Sequence, residues 1–170
     1  MIALMAEPSR SAGARVHVLE RSQRLELDVE RAFGFFTDAH NLETITPAWL
    51  GFRVVTQGPI EMGLGTLIDY RLKLHGVPVR WRTRIEVWEP PVRFVDVQLH
   101  GPYAVWEHAH TFEPEGEQAV VIRDRVRYAL PLGPLGRLAH AAIVKRDLER
   151  IFDYRHRAVA ERLERGTAAA

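Results

Sequence analysis

Trp106-Glu107-His108-Ala109-His110-Thr111-Phe112 is the stretch whose reading decides the fold. In an extended strand side chains alternate faces, so Trp106, His108, His110 and Phe112 share one side and Glu107, Ala109 and Thr111 the other. One face is thus aromatic at both ends with two imidazoles between. Core strands usually carry Val, Ile or Leu there, because burying a polar group without a partner costs about 2–7 kcal/mol. The two histidines therefore require partners or a wet cavity.

The neighbouring segments supply partners. Upstream, Phe94, Asp96 and Gln98 alternate with Val95, Val97 and Leu99, and His100-Gly101-Pro102-Tyr103 turns the chain. Folding about that turn sets Asp96 opposite His108 and Gln98 opposite Trp106. Downstream, Val120, Ile122, Asp124, Val126 and Tyr128 alternate with Val121, Arg123, Arg125 and Arg127, after Pro114-Glu115-Gly116. Folding about Gly116 sets Asp124 on the other side of His108. The expected result is an acid–imidazole–acid row across three adjacent strands, provided the register does not slip.

The rest of the chain places this hairpin set within a fold. Val16 to Leu27 reads as a first strand, and Asp28 as the N-cap of a short helix from Val29 with Ala32, Phe33 and Phe36 at helical spacing. Asp38 to Thr44 reads as a second short helix, closed by Thr46-Pro47. Phe52 to Gln57 is a strand. In the next, Thr66, Ile68, Tyr70, Leu72 and Leu74 face one way. Then Val79, Trp81, Thr83, Ile85 and Val87 oppose Arg80, Arg82, Arg84 and Glu86, and Glu89-Pro90-Pro91 leads to the Asp96 strand. Leu135 to Arg165 is a long amphipathic helix whose stripe includes Leu148, Ile151, Phe152, Val159 and Leu163. An amphipathic helix needs an apolar surface, and the inner faces of the strands provide it. The expected architecture is α+β: a curved seven-stranded antiparallel sheet, with two short helices after strand 1, wrapped around a long C-terminal helix. A cavity between sheet and helix is expected, walled by Tyr70, Trp81, Phe94, Trp106 and Tyr128.

Those residues resemble the SRPBCC superfamily, which takes in START-type lipid-binding domains and polyketide cyclases and dehydrases. The matching positions run from Asn41-Leu42, Ile45-Thr46-Pro47, Trp49-Leu50 and Phe52 through Tyr70, Trp81 and Phe94-Val95-Asp96 with Gln98. They continue with Gly101-Pro102-Tyr103, Trp106, His108, His110, Phe112, Asp124, Tyr128, Pro131, Gly133, Phe152 and Tyr154-Arg155. Val97 departs from the pattern, which has an acidic residue there; it should face outward, away from the pocket. The resemblance spans Val16 to Leu163 and implies the helix-grip fold, with a hydrophobic or amphipathic small molecule, lipid or polyketide-like, as ligand. Only some members catalyse.

Composition bounds the alternatives. At 170 residues the chain suits one domain over 15–165, with a disordered leader over 1–14 and a small-residue tail over 166–170. Hydrophobic residues make up 46% and charged ones 26%, as in ordinary globular proteins. The formal net charge of +1 gives no field that would select nucleic acid. Of 23 basic residues only Lys73 and Lys145 are lysine, a skew that reads as coding composition rather than phosphate binding. The absence of cysteine excludes disulfides and thiolate metal sites and suits the cytoplasm. No stretch is apolar enough for stable membrane insertion.

The expected ligand-binding set is Tyr70, Trp81, Thr83, Phe94, Asp96, Gln98, Trp106, His108, His110, Asp124, Tyr128 and Phe152. In the binding reading, which the residues favour, the polar members greet the ligand's polar end. In the enzyme reading His108 is general acid or base, oriented by Asp96 or Asp124, for cyclisation or dehydration. The spacing His108-x-His110 near acids also fits zinc or iron. The resemblance implies a pocket without metal, so no cofactor and no metal are expected. The arginines at 80, 82, 84, 123, 125 and 127 point outward among acids, with no interleaved aromatics to stack bases. Val95, Val97, Leu99 and Val105 also point outward. They read either as a small apolar patch for a homodimer contact or as a wrong face assignment.

Overall fold

Strand alternation and one helical stripe account for nearly every element in the computed structural model, which describes residues 15–131 and 143–165. The strands are β1 (His17–Leu25), β2 (Arg53–Val54), β3 (Leu67–Leu74), β4 (Val77–Glu89), β5 (Arg93–His100), β6 (Val105–Pro114) and β7 (Val120–Ala129). They form one curved sheet in the order β1-β7-β6-β5-β4-β3-β2, every pair antiparallel. Two short helices, α1 (Val29–Thr37) and α2 (Asn41–Thr44), follow β1, and α3 (Lys145–Arg165) closes the chain. This is the expected helix-grip arrangement. No helix among the described residues is long and apolar enough to cross a membrane.

Local chemistry explains the boundaries. Asp28 caps α1, its carboxylate accepting from the Arg31 backbone N–H at 2.7 Å. α1 buries Ala32, Phe33 and Phe36, and Phe33 meets Phe94 and Phe112 edge-on. Asp38 accepts from the His40 N–H at 3.0 Å, which delays α2 to Asn41. His75 and Gly76, both at positive φ, make the two-residue turn that pairs Leu74 with Val77.

α3 lies across the concave face. At one end Val159 and Leu163 join Phe33, Phe36, Phe112, Val120 and Ile122. At the other, Leu148 and Phe152 join Leu19, Val126 and Tyr128. A third cluster of Ala39, Ile68 and Tyr70, with Phe52 and Trp81 against it, sits near β2 and β3. Leu42 and Met62 pack against both the first and the third cluster. On the outer face Arg82 pairs with Asp69, Arg84 with Glu86, Arg123 with Glu113, Arg125 with Glu20 and Arg127 with Glu107. Leu99 is exposed there, while Val95, Val97 and Val105 are half-buried.

Several expectations need correction. The strand expected over Phe52–Gln57 shrinks to Arg53–Val54, because the Asp69 N–H turns to the Thr56 hydroxyl at 2.7 Å instead of continuing the ladder. In β4 an extra residue sits between Ile85, opposite Asp96, and Val87, opposite Val95. That bulge turns Val87 outward and brings Trp88 to the inner face against Phe33 and Phe94. The β6–β7 register is two residues from the expected one: His110, not His108, lies opposite Asp124. The loop closes through the Glu115 N–H to Ala119 at 2.7 Å, so the hairpin pivots on Glu117 rather than Gly116. The leader, the tail and the helical stretch expected over 135–142 lie outside the described residues.

Candidate functional site

Between the three clusters lies a cavity of about 150 Å³, partly open to solvent. β3 and β4 contribute Tyr70, Trp81 and Thr83, β5 contributes Phe94 and Asp96, and β6 contributes Trp106, His108 and His110. α3 covers it with Leu148, Ile151, Phe152 and Arg155, and Phe36, Leu50 and Phe52 complete the wall. Trp81, Tyr103 and Trp106 pack against one another with ring centres 4.8–5.6 Å apart.

At the base of the cavity sit two acids and two imidazoles. Asp96 is opposite His108 in the ladder, as expected, and Asp124 is opposite His110. A slip of two keeps a strand residue on its face, so Asp124 still points inward. Its Oδ1 bonds His108 Nε2 at 2.9 Å and lies 2.9 Å from His110 Nδ1. The second contact is at ion-pair distance but off the direction of a hydrogen bond, so His110 Nδ1 has no aligned partner. On the other side, Asp96 Oδ2 is 3.3 Å from His110 Nε2 and 3.8 Å from His108 Nδ1. The imidazole centres are 3.8 Å apart. Phe94 stacks on His110 at 4.2 Å and Phe152 meets His108 edge-on at 5.5 Å. Both histidine side chains are only 5% exposed, so their charges are set by the protein rather than by water.

Burial lowers the His108 pKa to about 4, and the charge of His110 adds to the effect. Burial also pulls on His110, yet its contacts with Asp124 and Asp96 outweigh that and raise its pKa. Burial alone would raise Asp124, but the two imidazoles hold it well below the usual carboxylate range. The stable arrangement is one imidazolium, His110, between two carboxylates, with His108 neutral. Tyr70 is kept protonated by burial first and by the nearby Asp96 charge second, while Arg155 pulls the other way. Its hydroxyl is therefore a donor.

Of the expected set, Tyr70, Trp81, Thr83, Phe94, Asp96, Trp106, His108, His110 and Phe152 line the cavity together. Three do not. Gln98 holds the β5–β6 turn, its amide donating to the Tyr103 carbonyl at 2.8 Å, instead of lining the cavity. Tyr128 is on the inner face but packs with Leu19, Leu148 and Phe152, under α3. Asp124 stands behind the imidazoles rather than in the cavity wall. Of the aromatics that follow the short helices, Phe52 lines the cavity, while Trp49 is exposed beneath the Arg150 guanidinium. Sequence reasoning overlooked Tyr103 and gave Arg155 no role. Arg155 lies three positions after Phe152, and that spacing on one helix face was the available signal. Its guanidinium sits over the Phe152 ring at 5.1 Å, and its buried Nε has no hydrogen-bond partner.

Comparison with known proteins gives consistent relatives. The family model described as polyketide cyclase / dehydrase and lipid transport matches residues 25–153. No curated protein matches the sequence. Among solved structures, a protein of Thermus thermophilus superposes with a TM-score of 0.70 at 19% identity, over 88% of this chain and 99% of that one. A Streptomyces aromatase/cyclase, ZhuI, gives 0.68 at 14% identity, over 89% and 95%. Norcoclaurine synthase from Thalictrum flavum, in complex with dopamine and hydroxybenzaldehyde, gives 0.62 at 13% identity, over 95% and 96%. At these identities the superpositions show a shared fold.

Proposed function

The chain belongs to the polyketide cyclase/dehydrase and lipid transport family, within the SRPBCC superfamily, and from that premise we propose that its cavity binds a small, largely apolar molecule of one or two rings. The observation that carries this is a partly enclosed, aromatic-walled space with Asp96, His108 and His110 at its base. A volume near 150 Å³ is that of an apolar cavity that takes up benzene, and a long acyl chain would need more room. A polyketide-like aromatic suits it better than a lipid. Burying about 250 Å² of ligand surface contributes about 6 kcal/mol before ordering costs, so a dissociation constant between about 50 μM and the millimolar range is expected. Tyr70 and the imidazoles would meet the polar end.

A second reading, cyclisation or dehydration, is favoured by one feature. Asp124 grips both imidazoles from behind and leaves His108 Nδ1 and His110 Nε2 on the Asp96 side, which borders the cavity. A histidine so oriented can move a proton to or from a bound carbonyl compound.

Calorimetric titration with 2-naphthol and with dodecanoic acid tests the binding reading. One saturable site for 2-naphthol, abolished by the cavity-filling Ile151→Trp, is expected, with weaker binding of the fatty acid. No binding, or equal binding by the filled variant, would refute it. His108→Ala then separates the readings: loss of cyclised product from a short poly-β-ketone, with 2-naphthol affinity retained, would mark an enzyme.

A further inference from the structure

We propose that Asp96, His108 and His110 form a binding site for one divalent transition-metal ion, with Asp124 as the carboxylate that orients both imidazoles. One donor atom from each of the three residues lies within 4.8 Å of the others. Tautomers follow from Asp124. His108 donates its Nε2–H to Asp124 Oδ1, which leaves His108 Nδ1 with a lone pair on the Asp96 side, and a metal ion would replace the proton that His110 Nε2 shares with Asp96 Oδ2 at 3.3 Å. A carboxylate oxygen and two imidazole nitrogens then converge where a single cation would meet all three.

The dimensions suit a metal. Ligands held at about 2.0–2.1 Å around a tetrahedral ion are roughly 3.3–3.4 Å apart. The separations from Asp96 Oδ2 are 3.3 Å to His110 Nε2 and 3.8 Å to His108 Nδ1, at or near that spacing. Asp124 supplies the support that metal-binding histidines need on the opposite nitrogen, as a hydrogen bond to His108 and an ion-pair contact to His110. Two carboxylates also neutralise a divalent charge in a site where the histidines are 5% exposed. Two nitrogens and one oxygen favour zinc, cobalt or iron(II) over magnesium or calcium. Asp96, His108 and His110 line the cavity whereas Asp124 does not. The unfilled coordination position therefore faces the ligand space, as in sites where an ion polarises a bound oxygen.

The inference uses the cavity but does not depend on what fills it, and it is tested without organic ligand. The full chain, stripped with chelator, is titrated with Zn²⁺ and separately with Co²⁺, and metal content is measured after desalting. One equivalent is expected to remain, with an intense visible cobalt band characteristic of four or five ligands. Asp96→Asn and His110→Ala should weaken binding about a hundredfold or more, and Asp124→Asn by about 10–100-fold. His75→Ala, which alters an exposed histidine paired with Asp147, should bind as the parent does. Failure of the parent to retain an equivalent, a weak octahedral cobalt spectrum, or full retention by a folded Asp96→Asn variant would overturn the proposal. If the site variants do not fold, the parent's stoichiometry and cobalt spectrum decide. Calorimetry with 2-naphthol on the metal-free protein reports the ligand reading separately.

Discussion

The two faces of the β6–β7 hairpin carry charged partners in opposite circumstances. Outside, Arg123 meets Glu113 at 3.0 Å, both exposed, and Arg127 meets Glu107 at 3.1 Å with their side chains 43% and 38% exposed. Inside, Asp124 meets both imidazoles at 2.9 Å with 13% of its side chain exposed. The distances are similar and the consequences are not. Water can replace the partner of an outer charge, so those pairs set cross-strand preference and little else. An inner charge left alone has no such substitute, which makes the inner group dependent on all its members. The hairpin thus places its dispensable ion pairs in solvent and its interdependent ones beside the cavity.

Variants can break this contrast in order of size. Asp124→Ala leaves the imidazoles without their shared acceptor and should cost about 3–5 kcal/mol in urea unfolding. A double-mutant cycle between His108→Ala and Asp124→Ala should return a coupling of about 1–3 kcal/mol, since the two share one network. Gly101→Ala should cost about 1 kcal/mol, because the new methyl would collide with the Gln98 side chain that holds Tyr103. Removing Arg123 or Glu113 should leave the unfolding midpoint within scatter. If the outer pair moves stability as much as Asp124 does, the contrast is false.

The same contrast shows what could be read in advance. Alternation in β6 and β7 revealed which residues face inward, and Asp28 revealed where α1 begins. Register was harder, since it depends on how five loop residues close between Glu115 and Ala119. The two-residue shift nevertheless preserved the face, so His108, His110 and Asp124 still meet. A bulge has no comparable immunity: in β4 it exchanged Val87 for Trp88 on the inner face. Tyr128 and Arg155 were decided by where α3 lies, a tertiary matter. Tyr128 sits under that helix and Arg155 extends from it into the cavity.

Nitrogen-15 spectra of the eight histidine rings during titration with 2-naphthol test the central claim most directly. The account predicts saturable shifts of His108 and His110 with a common affinity, while exposed rings such as His75 stay still. Shifts confined to the exposed rings, or none at saturating ligand, would contradict it.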